Sequence, residues 1–121
     1  MSILNRSSYV KGISEMARWN ATTVVRFPWK IKDYTADKRV ERLSKHRFIN
    51  SIFYTIEDDS EGGINHLHLL IDGKVDRKKL AEGLNTNIKS ILNVESIRSK
   101  FHLVDYITKR IGYSGHHNFF M

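Results

Sequence analysis

The 121-residue chain has no cysteine and a single proline. The first absence excludes disulfides, thiol catalysis and every zinc site built on thiolates. No apolar run approaches the roughly 18 residues that a membrane span needs, and no signal peptide is expected ahead of the fold. A cytoplasmic protein without membrane contact is the expectation. No internal repeat or linker is recognisable. Acidic residues are in the minority, with 13 Asp and Glu against 20 Lys and Arg, a net charge of +7. That balance favours an anionic partner, nucleic acid foremost.

Hydrophobic content of 40% and charged content of 27% are ordinary for a globular chain of one-domain length. Apolar spacing predicts a helix within residues 7–19 and a strand over 22–27 that ends at Pro28. A helix capped by Thr35 is expected to run to about Lys45, and a strand to cover 48–57. Residues 58–63, with two glycines, read as the turn of a hairpin whose second strand covers 64–71. Asp76 is a candidate N-cap for a helix with Leu80, Leu84, Ile88, Ile91 and Leu92 on one face. A short strand over 94–98 and a helix over 102–111, stopped by Gly112, follow. The whole reads as a single α+β domain, an antiparallel sheet of four to five strands flanked by helices, with its core over about 22–112. Residues 113–121 carry no assignment and read as a C-terminal tail.

Charge is unevenly placed. Arg26, Lys30, Lys32, Lys38, Arg39, Arg42, Lys45 and Arg47 crowd one segment, and Arg26, Lys38, Arg39 and Arg42 are the candidate DNA-binding residues. The acids Glu57, Asp58, Asp59 and Glu61 gather just ahead of His66-Leu67-His68. On a strand, alternate residues share a face, so both imidazoles project together from positions roughly 6.5–7 Å apart. Neutral imidazole binds first-row divalent ions, and an added carboxylate shifts preference toward Mn²⁺ or Mg²⁺. A turn centred between Glu61 and Gly62 sets Glu57 opposite His66, making Glu57 the third ligand and Asp58 the reserve. Core histidines bonded to their neighbours are the alternative. His116-His117, adjacent on an extended chain, point apart and read as surface or tail.

Tyr106 and Lys109 lie one helical turn apart. With Leu103, Val104, Ile107 and Ile111 facing the core, Tyr106 falls at the edge of the buried face and Lys109 nearly opposite it, both expected to be accessible. A phenol has a pKa near 10 and needs help to attack phosphorus at neutral pH. A cation such as Lys109 favours the phenolate and offsets charge on the phosphate. Tyr113 is a second, lower-ranked nucleophile.

His66-Leu67-His68 and Tyr106-Ile107-Thr108-Lys109 together resemble the motifs of HUH endonucleases, specifically rolling-circle replication initiators of small viruses and plasmids. Residues 22–27 match the family's first motif in position and character only, and the resemblance spans about 22–112. It implies that His66 and His68, with Glu57 by position, bind the metal. It implies that Tyr106 attacks the scissile phosphate, leaving a 5′-phosphotyrosine and a free 3′-OH, with Lys109 assisting. The implied partner is single-stranded DNA at a replication origin, served by a host or viral helicase and polymerase in the host cytoplasm. The chain departs from many members in lacking a helicase domain. A homodimer is among the assemblies it allows. Single-tyrosine insertion-sequence transposases look similar around the histidines, but commonly carry glutamine where this chain has Lys109. A third expectation, from another class, is a non-catalytic single-strand binder stacking bases on Phe53, Tyr54 and Phe101.

Overall fold

The computed structural model describes residues 3–58, 65–110 and 116–121. It is a single α+β domain. Helix α1 (Ile3–Glu15) leads into β1 (Ala21–Arg26), α2 (Asp33–Ser44), β2 (Ile49–Asp58), β3 (Asn65–Gly73), α3 (Arg77–Leu84), β4 (Glu95–Ser96), α4 (Lys100–Arg110) and β5 (His116–Phe120). The five strands form one antiparallel sheet in the order β4-β1-β3-β2-β5. No helix among the described residues is long and apolar enough to cross a membrane.

Period-two alternation along β2 and β3 sorts their side chains between two cores. Ile52, Tyr54, Ile56, Leu67, Leu69 and Ile71 face α2 and α3, joining Val40, Leu43, Leu80 and Leu84 in the larger core. Phe53 and Leu70, on the other face, pack with Val10, Ile13, Trp19, Leu103 and Ile107 from the α1 and α4 side. Two asparagines fasten the long central strand at its ends. Asn20 exchanges two hydrogen bonds with the backbone of Gly73, and buried Asn65 does the same with Ile31. Gly73 is required by close approach, because a Cβ there would run into the carbonyl oxygen of Phe48.

Several boundaries depart from the sequence reading. Helix α2 begins at Asp33, with Lys32 at the N-cap and no side-chain cap, so Thr35 lies inside the helix. Asp33 supplies an acid in the first turn, which suits the positive end of the helix dipole. Asp76 does cap α3, its side chain accepting from Lys79 N–H at 2.8 Å. That helix stops at Leu84 because Asn85 adopts the left-handed conformation (φ 56°), leaving Ile88–Ser90 as a 3-10 turn. The tail is also corrected, since residues 116–120 form an edge strand on β2. Tyr54, in the larger core, donates to Asp37, and Asn118 of β5 donates to the same carboxylate at 3.4 Å, tying the edge strand to α2.

Candidate metal centre

Pairing and alternation together bring three ligands to one place. In the β2–β3 ladder Glu57 stands opposite His66 and Thr55 opposite His68, so all four side chains share the α1/α4 face. The oxygen Glu57 Oε2 lies 3.3 Å from His66 Nε2 and 3.1 Å from His68 Nε2. The two rings lean together to a centroid separation of 4.8 Å, their planes at 66°. One donor atom from each of the three residues lies within 4.8 Å of the other two, so the group can hold a metal ion.

The donor geometry suits such an ion. With bonds of about 2.1 Å, usual for nitrogen and oxygen ligands, an ion spanning the 3.1–3.3 Å donor pairs would subtend about 95–105°. That lies between octahedral and tetrahedral angles. The same distances serve hydrogen bonds whenever each Nε2 carries its proton, so the carboxylate orients both rings in either case. The group is largely shielded from solvent: the His68 side chain is 5% exposed and that of Glu57 17%. A carboxylate so far removed from water calls for donors or a cation. Beside His68, the Thr55 hydroxyl is buried with no hydrogen-bond partner among the described residues.

Helix α4 lays Tyr106 over this face. Leu103 and Ile107 dock into the smaller core and roll Tyr106 toward the sheet, its ring centroid 6.4 Å from that of His68. The hydroxyl oxygen is buried, which corrects the expectation of an accessible phenol. Lys109 is largely exposed and pairs with Asp105 one turn back on the same helix at 3.0 Å. Asp58 ends β2 opposite Asn65, its side chain lying outside the described residues, as does Tyr113.

The four candidate DNA-binding residues do not form one patch. Arg26 pairs with His66 across the β1–β3 ladder and so belongs to the ligand face. Lys38, Arg39 and Arg42 ride on α2, which packs on the opposite face of the sheet. Arg39 has a structural task there. Its guanidinium donates to the carbonyls of Leu84 (3.0 Å) and Asn85 (2.6 Å), closing the end of α3.

One residue of the ligand face escaped the sequence reading. β5 sets His117 opposite Thr55, and its ring lies 6.0 Å from that of Phe53. His117 is exposed, in keeping with its reading as a surface histidine. The missing signal was the strand itself, since a five-residue run holding two histidines and two phenylalanines shows no alternation of apolar and polar residues.

No family model, curated protein or solved structure matches the chain.

Proposed function

We propose that the protein cuts and rejoins single-stranded DNA by transesterification at Tyr106, using a divalent ion, Mn²⁺ or Mg²⁺, held by Glu57, His66 and His68. The observation that carries this reading is the convergence of both Nε2 atoms on Glu57 Oε2, with the Tyr106 ring 6.4 Å from that of His68. Two imidazoles and one carboxylate leave coordination positions open for phosphate oxygens. When bound, the ion supplies Lewis-acid polarisation of the scissile phosphate.

The chain's own residues account for the remainder. Tyr106 Oη gives up its proton and forms a bond to phosphorus as the bond to the 3′ oxygen breaks, and the leaving 3′ oxygen takes up a proton, giving a 5′-phosphotyrosine and a 3′-OH. Attack of a 3′-OH on the phosphotyrosine reverses the step and rejoins the strand. Arg26, next to His66 on the ladder, is placed to meet a phosphate entering over the ligand face. Lys109 adds positive charge one turn from Tyr106, tempered by Asp105. The biological setting we assign is initiation of rolling-circle-type replication at an origin, with helicase and polymerase supplied by other proteins. Of the aromatics of the plain-binder reading, Phe53 and Tyr54 are 2% and 0% exposed and offer no stacking surface, whereas Phe101 is 85% exposed.

The test uses end-labelled single-stranded oligonucleotides with Mn²⁺ or EDTA on a denaturing gel. Wild type is expected to give a metal-dependent covalent adduct at the new 5′ end created by the cut, absent from Tyr106→Phe and His68→Ala. An adduct that survives in Tyr106→Phe would remove the nucleophile assignment. Metal-independent binding without any adduct, across varied sequences, would return the protein to the binder class.

A further inference from the structure

We infer that Trp29 and Tyr34 form a base-stacking rim for unpaired nucleotides on the α2 side of the sheet, opposite the ligand face; the inference rests on the single-stranded DNA reading. An indole and a phenol ring stand in solvent here, Trp29 48% and Tyr34 72% exposed. The indole is held in place. Arg26 is anchored in the β1–β3 ladder, and the backbone N–H and C=O of Ile31 are bonded to the buried Asn65 amide at 2.9 and 2.8 Å. Between those two fixed points, Trp29 leans on buried Phe27 with ring centroids 5.6 Å apart. The Arg39 guanidinium supports the pair, 5.4 Å from the Phe27 ring and 5.9 Å from that of Trp29. Because Arg39 is itself bonded to the end of α3, the indole is supported from two elements. A ring held this way gives a base a stacking surface at little ordering cost.

The surroundings identify the occupant. Lys30, Lys32 and Lys38, close to these rings in sequence, are exposed, and the Lys38 ammonium lies 5.5 Å from the Tyr34 ring. Exposed aromatics interleaved with cations match a single nucleic-acid strand, whose bases stack while its phosphates meet the charges. A duplex keeps its base faces stacked within itself and cannot use such a rim. The rim lies just past the end of β1, with Trp29 three residues beyond Arg26.

The chain's two tryptophans make the test direct, because Trp19 is buried, its Nε1–H bonded to the Ile13 carbonyl at 2.7 Å, and only Trp29 is exposed. Binding of an oligothymidylate to the Tyr106→Phe protein in EDTA, where neither cleavage nor metal contributes, is expected to quench tryptophan fluorescence. The quench should vanish in Trp29→Phe. Trp29→Ala and Tyr34→Ala, each on the Tyr106→Phe background, should each weaken binding on the order of 10- to 100-fold. The Tyr34 variant keeps the test open should Trp29→Ala fold poorly. Quenching that persists in Trp29→Phe, alanine variants within about twofold of the parent, or no binding at all would overturn the rim. The nuclease reading is judged separately by the adduct. Unchanged affinity and adduct yield in Trp29→Ala remove the rim alone, whereas quenching without any adduct from wild type removes the nuclease alone.

Discussion

Replacing Glu57 with glutamine tests the metal centre at the atom on which it converges. The amide keeps the size of the side chain but removes the charge that meets both Nε2 atoms at 3.1 and 3.3 Å. An ion that binds only the folded state stabilises it by about 2.7 kcal/mol when present at roughly 100 times its Kd. Unfolding entropy of about 2.1 cal/mol/K per residue over 121 residues amounts to about 0.25 kcal/mol/K. Wild type should therefore melt about 10 °C higher with saturating Mn²⁺ than with EDTA. Loss of an outer partner of a metal site typically weakens binding 10- to 100-fold, and a direct ligand should cost at least the upper figure. At the same ion concentration Glu57→Gln would then sit near its own Kd, with about 0.4 kcal/mol of stabilisation and a shift of only about 2 °C. The assay is a thermal melt by circular dichroism, each protein referenced to its own EDTA curve so that any change in the metal-free fold cancels. Equal shifts in the two proteins, or no shift in wild type with either Mn²⁺ or Mg²⁺, would refute the assignment.

Two further outcomes test the fold around the site. Burial, then the hydrogen bond and charge of Asp37, push the Tyr54 phenol well above its ordinary 10.0. Above about pH 10 the unfolded chain releases this proton while the folded chain keeps it, so stability falls with rising pH by up to about 1.4 kcal/mol per unit. Below that pH the contribution is complete and flat; denaturant melts across about pH 9–11 should show the slope, and Tyr54→Phe should remove it. Asn65→Ala strips both hydrogen bonds from Ile31, itself 2% exposed. Two stranded backbone groups at about 1–3 kcal/mol each predict a loss near 3 kcal/mol and a melting point lowered by about 12 °C. A drop of less than about 3 °C would mean that water replaces the amide.

The hairpin and its ligands were legible in the sequence because a period of two and a short turn leave little freedom. Placing the turn centre between Glu61 and Gly62 already sets Glu57 against His66, and the ladder has that register. Local chemistry also identified the cap at Asp76. Features that depend on tertiary partners were not legible. Ile88, Ile91 and Leu92 continue a helical period, yet Asn85 turns left-handed and only Ile91 of the three is buried. β5 finds its partner in β2, some sixty residues earlier, and that pairing leaves no local trace. The cluster of basic residues in the sequence said nothing about faces: Arg26 and Arg39 are both arginines of one segment, one beside His66 and the other closing α3. A helical wheel gave the side of α4 that docks but not how deeply, which is why the Tyr106 hydroxyl is more buried than its position at the edge of the stripe implied.

The unequal thickness of the two layers bears on how a buried Tyr106 hydroxyl meets a phosphate. The ligand strands are backed on one face by the larger core, to which both β2 and β3 contribute alternate residues from Ile52 to Ile56 and from Leu67 to Ile71. On the other face, α1 and α4 are held by a much smaller group, with Leu103 and Ile107 the fully buried apolar residues that α4 supplies among those described. Local opening costs least where the fewest apolar contacts break. Displacing α4 breaks that small set and leaves the larger core and the ligand register intact, whereas shifting either strand would disturb both. On the proposed reading, access to Tyr106 is therefore cheapest through movement of α4, with Glu57, His66 and His68 as the fixed half of the site, so lengthening or shortening either apolar side chain on α4 should change adduct formation more than metal affinity.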